Sequence, residues 1–156
     1  MDPYNAEFNR LLVSTYKSIM KVEELMLRDL SNSDLSISEM HMLESISKHP
    51  AGLHITDIAQ EQGVTLPSVT TAIQKLERKG YVTKERNAFD ARRVRVKLTE
   101  KGRRAEIAHR YFHRQMVQAI TKGMDEAERA ALLSGFGKLN GFLNQRIQAA
   151  QTAGTQ

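Results

Sequence analysis

Apolar residues recur at helical spacing through residues 5–30: Phe8, Leu11, Leu12, Tyr16, Ile19 and Met20, then Leu25 and Met26. The polar run Ser31-Asn32-Ser33-Asp34 ends that stretch. Ser36 and Glu39 form a capping-box pattern ahead of a helix carrying Met40, Leu43 and Ile46, which His49-Pro50-Ala51-Gly52 stops. Thr56 or Asp57 is expected to cap a short helix with Ile58 and Ala59, ended by Gly63. Thr65 caps the next, with Pro67 in its first turn, Val69, Ala72, Ile73 and Leu76 on its inner face, and Gly80 at its end. A short helix, a glycine turn and a second helix make a helix-turn-helix. From Tyr81 the period changes to two. Tyr81–Asn87 opens a hairpin whose return strand sets Val94, Val96 and Leu98 on one face and Arg93, Arg95 and Lys97 on the other, as a row of fixed positive charge. Thr99–Gly102 begins a long helix to about Lys122, striped by Ile107, Tyr111, Val117 and Ile120 and broken by Gly123. Asp125 and Glu128 cap a last helix whose stripe is Leu132, Leu133, Phe136, Leu139, Leu143 and Ile147, and the tail Ala149–Gln156 is expected to be disordered.

This order of elements predicts a mainly α chain with a small β-wing: a winged helix-turn-helix at residues 37–98 within a single chain, 1–156. Residues 5–30 with 99–149 form a helical dimerisation part. The terminal helices carry apolar stripes that a small winged domain is too small to cover. Phe8, Leu11 and Leu12, with Leu132, Phe136, Leu139 and Leu143, are therefore expected to bury against a second copy. Gly137 and Gly141, four apart, permit close helix approach there.

Charge sharpens this picture. The chain carries +5 overall, but residues 75–104 hold twelve Lys/Arg against four Asp/Glu, while residues 1–50 hold five against eight. A basic middle between neutral or acidic flanks is the footprint of a phosphate-binding patch. The helix at 65–79 presents Thr65, Ser68, Thr70, Thr71, Gln74 and Lys75 away from its apolar stripe. Small hydroxyls let a helix enter the major groove, Gln pairs with adenine, and a Thr methyl meets the thymine methyl. Arg92, at the hairpin tip, reaches a minor groove, with Asp90 placed to hold its guanidinium. Arg86, Arg93 and Arg95 suit phosphate contacts. Double-stranded DNA is the expected partner.

Other classes fit less well. A chain without cysteine has no disulfide framework and no thiolate chemistry, which suits a reducing cytoplasm. The N-terminus lacks a basic region followed by an apolar run, so no signal peptide is expected, and no stretch approaches a membrane span. Gly-x-Ser-x-Gly and His-Glu-x-x-His are absent, and Gly135-Phe136-Gly137-Lys138 lies inside a helical stripe where it cannot cradle phosphate. An enzyme is not expected. A protein-interaction bundle would not need the basic hairpin. His109 and His113, four apart on one helix, share a face that can ligate zinc, with His41 or Glu24 completing the site; a structural pair at a helix interface is the alternative.

The element order, together with Leu76-Glu77-Arg78-Lys79-Gly80-Tyr81, the tip Asp90-Ala91-Arg92 and Val96-Lys97-Leu98-Thr99-Glu100-Lys101-Gly102, resembles the MarR family of winged-helix repressors over nearly the whole chain. The resemblance implies an obligate homodimer on a pseudo-palindrome, with Arg92 as the wing arginine and residues 65–79 as the recognition helix. Ile37-Ser38-Glu39-Met40-His41 and Arg110-Tyr111-Phe112-His113-Arg114-Gln115-Met116-Val117 are similar to the branch that represses fatty-acid synthesis genes, as are Glu23-Glu24 and Gly123-Met124. That branch implies a long-chain acyl effector delivered on acyl carrier protein. Met20, Met26, Met40, Met42 and Met116 are then either plain core or the lining of an acyl channel. Arg103, Arg104, Arg110 and Arg114 are candidates to meet the acidic carrier. Zinc-responsive members of the family imply the rival ligand set Glu24, His41, His109 and His113, and another small apolar ligand is a further alternative.

Overall fold

A computed structural model describes residues 2–29, 33–86 and 94–153. Helix α1 spans Pro3–Asp29 and α2 spans Ile37–Ser47. Strand β1, Leu53–His54, leads directly into α3, Ile55–Gln62, and α4 spans Leu66–Arg78. Strands β2, Val82–Arg86, and β3, Val94–Leu98, precede α5, Glu100–Thr121, and α6, Glu126–Ala153. The sheet order is β1-β3-β2, antiparallel throughout, with Leu53 opposite Val96 and Lys84 opposite Val96 on the other side.

Local chemistry sets most of the boundaries. Ser36 accepts from the Glu39 backbone N–H while the Glu39 carboxylate accepts from the Ser36 N–H at 2.8 Å, so both ends of the capping box are formed. Gly63, at φ 64°, closes α3 in the left-handed conformation, its N–H donating to the carbonyls of Ala59 and Gln60. Thr65 then caps α4, and Pro67 sits in its first turn, where its missing N–H costs nothing. Asp125 and Glu128 cap α6 reciprocally, at 2.8 and 2.9 Å.

Two expectations are corrected. The short helix α3 starts straight out of β1 with His54 at its cap position and no side-chain cap, so Thr56 and Asp57 lie inside its first turn. The chain from Ala149 to Ala153 continues α6 as helix.

The core sits where α2, α3 and α4 meet the sheet. Met40, Leu43 and Ile46 from α2, Ile58 from α3, Val69, Ile73 and Leu76 from α4, and Val82 and Val96 from the strands are almost wholly buried. Each such side chain removes enough apolar surface to contribute about 1.5–3 kcal/mol. Gly102, in the first turn of α5, is held against the carbonyl of Tyr81: a Cβ built there would stand 2.1 Å from that oxygen. Thr99 locks the same corner, its N–H donating to Tyr81 O and its hydroxyl to Gly80 O at 2.7 Å.

The chain divides into two compact units, residues 1–113 and 114–156. The division falls inside α5. Glu23 and Leu27 of α1, and Gly102, Glu106 and His109 of α5, are the buried positions of those helices, and all lie in the first unit. The second unit is the end of α5 with α6, on which Leu133, Phe136, Phe142, Leu143 and Ile147 are exposed. No described helix is long and apolar enough to cross a membrane.

Candidate functional site

Helix α4 packs Val69, Ile73 and Leu76 inward, and its opposite face carries the six residues expected there. Their hydrogen bonds divide them. Thr70 and Thr71 donate their hydroxyl protons to the carbonyls of Leu66 (2.9 Å) and Pro67 (3.0 Å). With the proton committed, each keeps an acceptor oxygen and a methyl group, which suits a base edge and not a phosphate oxygen. Thr65 and Ser68 share a hydrogen bond of 2.8 Å across the helix start. Gln74 and Lys75 are exposed, and among the described residues neither has a hydrogen-bond or ion-pair partner. Both are free to meet an outside group. A cleft of about 600 Å³ beside α4 is lined by His54, Thr56, Asp57, Thr70 and Val94. His54 carries no pattern in the sequence, because β1 is two residues long and its partner strand begins only at Val94.

The hairpin stem is formed with Glu85 opposite Arg95. Lys97 is half-buried and pairs with Glu85 at 2.8 Å, and Lys84 pairs with Glu77 at 2.6 Å. The expected row of bare cations is therefore interrupted by acidic partners. Arg95 is exposed without a partner among the described residues. Asp90, Arg92, Arg93 and the side chain of Arg86 lie outside the described residues.

The candidate interface residues Phe8, Leu11, Leu12, Phe136 and Leu143 are exposed, while Leu132 and Leu139 are half-buried. The methionines separate. Met40 and Met42 belong to the core and Met26 packs against it, whereas Met20 lines a groove of about 750 Å³ between α1 and the start of α2. Tyr16, Leu27, Leu35 and Ile37 form the apolar walls, with Ser33, Ser36, Ser38 and His41 supplying polar groups. Met116 is half-buried in the second unit.

The histidines are brought together, but around a different carboxylate. Glu23, 4% exposed, lies 3.2 Å from His113 Nε2, and His109 Nε2 lies 3.1 Å from the same atom. Glu23, His109 and His113 offer three ligand atoms within 4.8 Å of one another, and His41 Nε2 stands 3.7 Å from Glu23. Glu24 points elsewhere, to Lys21 (2.9 Å) and Arg28 (2.8 Å). The correction from Glu24 to Glu23 has a simple cause: Glu23 is four residues before the buried Leu27 and shares its face. Burial, and after it His113, holds His109 below the ordinary histidine range, so the ring stays neutral and keeps a lone pair.

A half-buried ion pair ties α2 to the end of α4. Lys79, at the end of α4, donates to both oxygens of Glu39, at 3.0 and 2.8 Å. Burial raises the Glu39 carboxyl, but Lys79 and the Ser36 N–H outweigh it and hold the group below its ordinary value of 4.5. A carboxylate with a depressed folded pKa contributes stability above the unfolded value, and that stability is lost as pH falls through the folded one. Thermal melts of the parent should therefore fall more steeply than those of Glu39→Gln between about pH 5 and pH 3. Parallel melting curves would show that the pair contributes nothing.

Comparison with known proteins gives a consistent picture. A model described as the MarR family matches residues 33–93. The structure of Streptococcus pneumoniae FabT, solved in complex with DNA, is 38% identical, with TM-score 0.86, covering 90% of this chain and 98% of that one. An uncharacterized HTH-type transcriptional regulator YfiV of Bacillus subtilis (strain 168) is 32% identical over 71 residues, 46% of this chain and 44% of its own. The HTH-type transcriptional regulator Hpr of Bacillus cytotoxicus is 30% identical over 96 residues, 61% of this chain and 51% of its own. The chain thus spans about half the length of these curated relatives.

Proposed function

Since the chain belongs to the MarR family of winged-helix transcriptional regulators, we propose that it is a homodimeric, sequence-specific DNA-binding repressor of fatty-acid synthesis genes, controlled by long-chain acyl groups on acyl carrier protein. The observation that carries this reading is the likeness to FabT along nine-tenths of the chain, in a protein whose structure was solved on DNA. The residues support it independently. Among the described residues Gln74 and Lys75 of α4 are unengaged, with the methyl groups of Thr70 and Thr71 beside them, as a major-groove reading head requires. Arg92, which falls between β2 and β3 in the sequence, is assigned the flanking minor groove. A duplex reader with two-fold symmetry needs a second copy. The exposed apolar residues of α1 and of α6 are the surfaces assigned to that contact.

The groove between α1 and α2 is the candidate effector site. Its volume falls within the roughly 300–1,000 Å³ of small-ligand sites, and its walls are chiefly apolar. Only Met20 of the five candidate methionines lines it, so the groove would take an acyl chain through Leu27, Leu35 and Ile37 as well.

A second reading has its own observation. Ligand atoms around a tetrahedral zinc at about 2.0–2.1 Å stand about 3.3 Å from one another. The 3.1 and 3.2 Å separations among His109, His113 and Glu23 match that spacing, and His41 is the remaining donor. The residues fit such an ion, which would fasten α1 to α5; without one, a hydrogen bond of 3.1 Å joins His109 Nε2 and His113 Nε2, with the Glu23 carboxylate 3.2 Å from His113.

The test is duplex affinity measured with hexadecanoyl acyl carrier protein, with zinc, and with neither. The acyl reading expects a change of about tenfold or more with the acylated carrier alone, a typical coupling of 1–3 kcal/mol. A response to zinc alone, abolished by His109→Ala, would replace it with the metal reading.

A further inference from the structure

The groove and the reading helix share a thin wall. Ser36 and Ser38 line the α1–α2 groove on one side. On the other side the same two residues, with Glu39, line a separate cleft of about 420 Å³ whose far wall is Pro67, Ser68, Thr71 and Lys75 of α4.

The wall is also fastened to the end of α4. Glu39 holds the Ser36 N–H at 2.8 Å and receives both Lys79 hydrogen bonds, and it is only 7% exposed. The Lys79 ammonium reaches back to Asp34 O at 2.5 Å, so it grips the segment leading into α2 as well as α2 itself. The carbonyl of Lys79 in turn accepts from Lys101 Nζ at 2.8 Å, and that ammonium rests 4.1 Å over the Tyr81 ring. These bonds anchor the C-terminal end of α4. Its N-terminal end, where Thr65, Ser68 and Thr71 sit, has no comparable tie from another element among the hydrogen bonds of the described residues.

We propose that the Glu39–Lys79 bridge is the coupling element through which the contents of the α1–α2 groove set the tilt of α4. The inference rests on reading that groove as the effector site. A helix of thirteen residues is about 20 Å long, so a tilt of about 5° at Lys79 carries its first turn by about 2 Å. That displacement is enough to misplace a hydrogen bond to a base edge. Glu39 and Lys79 are thus positioning residues that touch neither DNA nor ligand. The bridge can report only a state that the groove contents stabilise differentially.

The experiment fills the groove without any ligand. Met20→Trp is introduced into the full chain, alone and together with Lys79→Met, Lys79→Arg or Glu39→Gln, and amide exchange is followed along α4. In the parent background, the indole should change exchange at the last turn of α4 by about threefold or more. With Lys79→Met or Glu39→Gln that response should vanish, and with Lys79→Arg, which keeps the cation, it should return. A response of equal size without the bridge, or no response with it, overturns the proposal. Glu39→Gln keeps the shape of the side chain and guards against a Lys79→Met chain that does not fold. A parallel arm adds hexadecanoyl acyl carrier protein to the parent: failure there, with the indole response intact, counts against the acyl effector and leaves the bridge standing.

Discussion

Leu139→Glu is expected to abolish both self-association and duplex binding. Helix α6 presents Leu133, Phe136, Phe142, Leu143 and Ile147 to solvent, with Phe136 more than half exposed, and Leu139 lies half-buried on the same helix. If a second copy covers that face, a glutamate at 139 enters a desolvated contact among apolar side chains, at a cost of several kcal/mol. Dimerisation should then weaken by about a hundredfold or more, and DNA affinity with it, because a single winged domain holds only one half-site. Sedimentation at micromolar concentration reads the result directly. A Leu139→Glu chain that sediments and binds DNA like the parent would remove α6 from the interface.

The second large effect is expected from the smallest substitution, Gly102→Ala. Its methyl group would stand 2.1 Å from Tyr81 O, an atom already engaged by the Thr99 N–H. The strain cannot be relieved by rotating a side chain, since the obstacle is backbone. Either the start of α5 lifts off the hairpin or the Thr99 bond breaks. Strain of this kind costs roughly 1–3 kcal/mol or more, which for a domain of this size lowers Tm by roughly 3–10 °C. A melting point within about 1 °C of the parent would mean that the corner relaxes freely.

What could be read from sequence follows from how local each cause is. The capping box at Ser36 and Glu39, the left-handed turn at Gly63 and the caps at Thr65 and Asp125 act within four residues, and all appear where the pattern placed them. Strand β1 does not announce itself. Two residues carry no period, and they become a strand only because Val96 and Arg95 stand opposite. The start of α3 has the same cause, since β1 fixes the chain direction at His54.

The site was legible to the same degree. Helical spacing identified the outer face of α4, but not that its threonines spend their protons on the helix's own carbonyls. The alternation identified Arg95 and Lys97 on the charged face of the hairpin, but Glu85 and Glu77 reach their cations across or between elements. Glu23 and Glu24 differ by a rotation of about 100° around α1. The i,i+4 relation of Glu23 to Leu27 is the signal that separates them, and it becomes decisive only once Leu27 is known to be buried. Methionine count could not distinguish Met40 at the centre of the core from Met20 at the groove, because both lie on apolar helix faces.

The most direct test of a two-fold DNA reader is a titration of the full chain against a duplex selected from random sequence, repeated over a salt series and with Arg92→Ala. Two chains should bind each duplex, on half-sites about one helical turn apart, with log affinity falling linearly in log salt concentration. Arg92→Ala should weaken the complex by about 1–3 kcal/mol while leaving the fold intact. One chain per duplex, affinity indifferent to salt, and an Arg92→Ala variant that binds like the parent would contradict it.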